Sequence, residues 1–165
     1  MRLLPGTLAI LAALSPAWAI PAGAREIMPR FYVYGENDEA AELKTCRINH
    51  DKAVALVKSQ LRGAGMTLET DPAAEGAVMD TYVNINALTI ETSPNFCAYS
   101  FDITFEAFGD APNPFTGASE FSKLSYCSKG SLMIWPKAKA QAAMHNSLSG
   151  YVRACLTEYR GRNDR

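Results

Sequence analysis

The sequence predicts an α+β domain: an antiparallel sheet of about 4–5 strands with two main helices packed on one of its faces. Two patterns carry that expectation. Residues 97–106 alternate Cys97, Tyr99, Phe101, Ile103 and Phe105 with Ala98, Ser100, Asp102, Thr104 and Glu106, the period-two signature of a half-buried strand. Residues 52–62 and 137–159 carry apolar side chains at steps of three and four, as helices do. The strand candidates fall between the two helical runs, and that segregation favours α+β over an alternating parallel fold.

The first segment has a leader layout. Arg2 precedes an uncharged run from Leu3 to Ala24 in which Leu4, Leu8, Ile10, Leu11 and Leu14 supply most of the hydrophobicity. Pro16 breaks the helix before Ala17-Trp18-Ala19, a small-x-small triplet suited to signal peptidase. The expected organisation is a signal peptide over 1–19, with an alternative cut after Ala24, then a single disulfide-stabilised globular domain over 20–165. The strongly apolar stretch covers about twelve residues where a membrane helix needs roughly 20, so no stable membrane anchor is expected after cleavage.

Residues 27–34 hold the β-prone cluster Phe31, Tyr32, Val33 and Tyr34, a first strand or an extended arm that ends at Gly35-Glu36-Asn37-Asp38. Asn49 or Asp51 caps the first helix, in which Val54, Val57 and Leu61 recur before Gly63-Ala64-Gly65 stops it. Residues 66–69 form a short strand candidate. In residues 78–91, Met79, Val83, Ile85 and Ala87 share one face before the phase switches to Leu88 and Ile90, through a bulge or burial of both faces. A turn centred near Pro94 and Asn95 then folds the period-two strand back as a long hairpin and brings Asp80 toward Glu106.

The loop signal Gly109-Asp110-Ala111-Pro112-Asn113-Pro114 follows. Strand candidates over 120–127 and 131–135 are separated by Ser128-Lys129-Gly130. Pro136 suits a helix start, after which Met144, Leu148, Val152, Cys155 and Tyr159 form one stripe, and Gly150 marks a weak point.

Four cysteines, Cys46, Cys97, Cys127 and Cys155, all lie in the exported part, and an even count in an oxidising compartment favours two disulfides. Spacings of 51, 30 and 28 residues lack the close pairs of a zinc site, and no metal or other cofactor is expected. The midpoint of Cys97 and Cys127 falls at Pro112, inside the loop signal, so the expected pairing is Cys97 with Cys127 and Cys46 with Cys155.

Removal of Arg2 with the leader leaves fifteen of the sixteen basic residues against seventeen acidic ones, without long single-sign runs. No basic face of the kind nucleic acid needs is implied, and nucleic acid is not an expected partner. Glycine-rich phosphate loops, a Gly-x-Ser-x-Gly elbow and glycosylation sequons are absent from the sequence. His50 and His145 read as solvated helix histidines. Asp102 and Glu106, four residues apart on one strand, stand roughly 13 Å from each other, too far for a glycosidase pair. Asp80 with Glu106 is the remaining acidic pair, and no catalytic residue is assigned.

The expected function is that of an exported protein, periplasmic or secreted, which binds a protein or cell-envelope component through its sheet face or an edge strand. An inhibitor of a secreted enzyme, presenting residues 110–117, and a small hydrolase are the alternatives.

Overall fold

In a computed structural model the chain is described over residues 29–35, 41–71, 78–91 and 93–163; the expected leader lies outside these residues. Among them the order is β1 (Arg30–Tyr34), α1 (Ala41–Thr45), α2 (His50–Gly63), β2 (Leu68–Glu69), β3 (Val78–Thr89), β4 (Phe96–Pro112), β5 (Ser119–Pro136) and α3 (Lys137–Asn163). The fold is α+β, as expected, with two corrections. The five-stranded sheet runs β2-β1-β3-β4-β5 and is mixed, because β1 lies parallel to both β2 and β3 while β3, β4 and β5 are antiparallel. A third, short helix, α1, precedes α2.

Parallel pairing follows from the crossover. The chain leaves β1, passes through α1 and α2, and re-enters the sheet at β2 in the same direction, which a helical connection permits and a tight hairpin does not. Asn49 begins α2 with its side-chain oxygen accepting the Lys52 N–H at 2.8 Å. At its far end Gly65 takes a positive φ of 81°, and the N–H of Met66 donates to Leu61 O at 3.0 Å. Arg47 is also left-handed, with φ 59°, and turns the chain so that Leu43, Cys46 and Ile48 are all buried.

One face of the sheet carries the core. Phe31 and Val33 of β1, Met79, Val83 and Ile85 of β3, and Tyr99, Phe101, Ile103 and Phe105 of β4 meet Val57 and Leu61 of α2 and Met144, Leu148 and Val152 of α3. Phe31 stands edge-on to Phe105 and Tyr159, with ring centroids 5.5 and 6.0 Å away. Ala87 keeps the inward phase at the end of β3, and Leu88 accordingly points to the other face, 67% exposed, with no register shift between β3 and β4.

The two strand candidates after the loop are one continuous strand. Gly130 stays in β5 opposite Asp102, where the absent Cβ makes room, since one built there would stand 2.8 Å from the Asp102 Cβ. The tight turn falls over residues 113–118, beyond the predicted loop centre, and β4 continues to Pro112.

That register overturns the expected disulfides. Cys127 opposes Phe105, eight residues and so roughly 27 Å from Cys97 along the same strand. Cys97 instead bonds Cys46 at the end of α1, and Cys127 bonds Cys155 on α3, with Cα separations of 5.9 and 5.4 Å. A bulge next to the second bridge sets Phe105 against Cys127 but Glu106 against Ser125, leaving Tyr126 as the extra residue. Cys127 thus faces the core, and Tyr126 packs edge-on to Tyr159.

Candidate functional site: the open sheet face

Helices cover the core face, so the side chains between the core positions form a second face whose composition changes along the strands. Four rows cross β3, β4 and β5 in register: Tyr82–Thr104–Ser128, Asn84–Asp102–Gly130, Asn86–Ser100–Leu132 and Leu88–Ala98–Ile134. The face therefore passes from aromatic and polar to apolar.

Beyond the first row Asp80 lies opposite Glu106, the pair the sequence brings together. Opposed positions on β3 and β4 sum to 186, as for a turn centred on Ser93, so Asp80 and Glu106 stand directly opposite and on the same face. Glu106 is 4% exposed. Its Oε1 accepts the Tyr34 hydroxyl at 3.0 Å and its Oε2 meets Lys123 Nζ at 3.1 Å, so both oxygens are engaged. The Tyr32, Tyr34 and Tyr82 rings follow one another with centroids 5.8 and 5.2 Å apart. Burial, followed by the hydrogen bond to Glu106 and its charge, pushes the Tyr34 phenol far above its ordinary range. Burial, then the Glu106 charge, raises the Asp80 carboxyl.

A buried carboxylate held by a phenol and an ammonium closes the polar end of the face and presents little lone-pair capacity to a substrate. Asp102 accepts the Asn84 amide at 2.9 Å, and Asn84 in turn accepts Asn86 at 3.2 Å, so the middle rows are cross-linked by their own side chains. The Thr104 and Ser128 hydroxyls on this face lie 3.2 Å apart and hydrogen-bond to each other.

The apolar end differs. Leu88, Leu132 and Ile134 are 67, 77 and 63% exposed, with Phe96 beside them at 40%. Of these, Leu132 and Ile134 lie on β5, an 18-residue strand at the end of the sheet with β4 as its one partner among the described residues. Single exposed leucines are ordinary, whereas a contiguous row on a strand with unpaired backbone groups is a recognition surface or a liability. The sequence signal was the phase switch at Leu88 and Ile90; the poor alternation of residues 131–135 hid Leu132 and Ile134.

His50 corrects the solvated reading: it is 8% exposed, with Nε2 3.2 Å from Val83 O and Nδ1 without a partner among the described residues. It packs where Gly35 leaves space, as a Cβ at Gly35 would stand against the His50 ring and 2.5 Å from Val83 O. His145 is half-buried beside Gln141, and burial, then the Lys52 charge, lowers its pKa. The two histidines lie on different helices in different settings and form no site together.

On the helical side, a depression of about 330 Å³ lies between α2 and α3, lined by Ser59, Gln60, Gly63, Ala64, Arg153 and Leu156. Arg153 is its one charged group, and no second titratable side chain converges there. No group of three or more His, Cys, Asp or Glu among the described residues is placed to hold a metal ion.

No family model matches the chain, and no curated protein matches it. Among solved structures, the rare lipoprotein B of Shewanella oneidensis is similar at 11% identity over 82% of this chain and 94% of that one, with a TM-score of 0.28. A likeness at that level carries no argument about function.

Proposed function

We propose that the chain is an exported, non-enzymatic binding protein whose partner is a polypeptide, held in extended conformation along the free side of β5. The observation that carries this reading is the coincidence of two features on one strand: an edge without a described partner and the exposed Leu132 and Ile134 beside it. An added strand gains main-chain hydrogen bonds from the edge and specificity from alternate side chains that lie on the apolar row. Lys123 and Lys129 are the only charges on β5 after Glu120, and Lys129 is committed to Glu158 at 2.6 Å. From Gly130 to Trp135 the edge has none of the charges that usually blunt such strands. The two disulfides support export, since such bonds persist in oxidising compartments.

A photo-crosslinking side chain placed at Ile134 tests the reading in the native host. The expected result is one discrete adduct that disappears on Leu132→Lys, with none from the same probe at the exposed Ala55 of α2. Equal labelling from both positions would defeat the proposal.

A further inference from the structure

The β4–β5 ribbon outgrows the sheet. β3 pairs with β4 as far as Asp80 opposite Glu106, whereas β4 and β5 remain paired to Pro112 opposite Ser119. The rows beyond Glu106 reach roughly 20 Å past the last three-stranded row. This projection carries exposed aromatics: Phe115 at the apex is 95% exposed, Phe121 74% and Phe108 50%. Phe108 and Phe121 stack with centroids 6.3 Å apart.

The apex hydrogen-bonds itself. The Asn113 side-chain oxygen accepts the N–H groups of Phe115 and Thr116 at 2.8 and 3.2 Å. Gly117 donates to Asn113 O and Asn113 to Ala118 O, both at 2.8 Å, and Ala118 donates to Thr116 Oγ1 at 3.2 Å. Gly117 permits this with a φ of 72°. Pro114 has no N–H, so every backbone donor from Asn113 to Ala118 has a partner inside the turn. From Ala111 to Ser119 no side chain is charged.

We propose that this apex inserts shallowly and reversibly into the surface of a neutral, zwitterionic lipid bilayer, with Phe115 at the acyl boundary and Phe121 at headgroup depth. Three observations choose lipid over a protein groove. The tip is convex. Its amides are already paired, so it loses water without leaving donors unsatisfied, the condition a bilayer imposes and a protein groove, with partners of its own, does not. Its aromatic apex is free of charge, while Asp110 and Glu120 stand just behind it and oppose an anionic surface. Glu120 is fixed there by the Asn113 amide, 3.0 Å from each of its oxygens. The inference is independent of the partner on β5, whose apolar row lies at the opposite end of the strand.

The test is sedimentation of the disulfide-bonded chain with phosphatidylcholine vesicles and with vesicles that also contain phosphatidylglycerol. Expected are binding to the neutral vesicles, weaker binding to the anionic ones, a loss of about tenfold for Phe115→Ser, and no loss for Phe96→Ser at the far end of β4. In Phe115→Trp, emission should move to the blue and be quenched by brominated acyl chains, relative to the wild type. Absence of binding to either vesicle, equal binding by Phe115→Ser, a preference for the anionic lipid, or an unquenched Trp at position 115 would each overturn the proposal. The aromatic tip would then be left as a protein contact.

Discussion

The Tyr34 hydroxyl on β1 donates to the Glu106 carboxylate on β4 at 3.0 Å, spanning the intervening β3 and joining residues 72 positions apart. With Lys123 on the second oxygen, this contact turns an acid on a nominally solvated face into one that is 4% exposed. The polar end of the open face is therefore closed, whereas Leu88, Leu132 and Ile134 at the other end stay exposed.

Glu106→Gln tests that seam. The variant keeps the shape but loses the charge that Tyr34 and Lys123 surround, and one charge-assisted hydrogen bond and one partly buried ion pair are weakened. A loss of about 1–2 kcal/mol in chemical denaturation is expected.

Asp80 sets a pH dependence. Its carboxyl pKa is raised in the fold, by burial first and the Glu106 charge second, so the folded state favours the protonated acid. A group raised in this way contributes most below its unfolded value and loses that contribution as pH rises through the folded value. Asp80→Asn should therefore raise the denaturation midpoint at pH 7 and leave it little changed at pH 3. The Tyr34 phenol, also raised, holds its contribution through neutral pH and loses it only in strong alkali.

Thr81 is fully buried on the core face, with a hydroxyl that has no partner among the described residues. Thr81→Val removes an unpaired polar group at nearly constant volume and should stabilise by about 1 kcal/mol. Gly35→Ala acts in the other direction, because its Cβ would press on the His50 ring and Val83 O; a loss of about 1–3 kcal/mol is expected from the same denaturation experiment.

The disulfides yield a covalent check. Digestion without reduction should release peptides that join Cys46 to Cys97 and Cys127 to Cys155. Removing the first bridge, which closes the longer loop, should cost about 4 kcal/mol, and the second about 3.5.

These cases also show what one-dimensional pattern conveys. The alternation from Cys97 to Phe105 and the Asn49 cap were legible because each depends on neighbours a few residues away. The disulfide pairing was not, because it depends on where the β4–β5 turn lies. Gly109 to Pro114 carries the stronger loop composition, yet Asn113 and Gly117 build the turn, and the bulge at Tyr126 adds a further residue to the register. The parallel placement of β1 depends on a crossover through two helices, the first of which, Ala41–Thr45, is too short to give a periodic signal. At the candidate site the approach of Asp80 to Glu106 could be read from hairpin geometry. The Tyr34 contact could not, since nothing local says which strand lies beside β3.

The proposed strand addition is tested most directly by amide hydrogen exchange on the complex captured through position 134. One set of β5 amides is already paired to β4, so a partner on the free side should slow exchange at alternate residues between Ser128 and Trp135. Protection confined to α2 and α3, or no change along β5, would contradict the assignment of the free edge as the binding site.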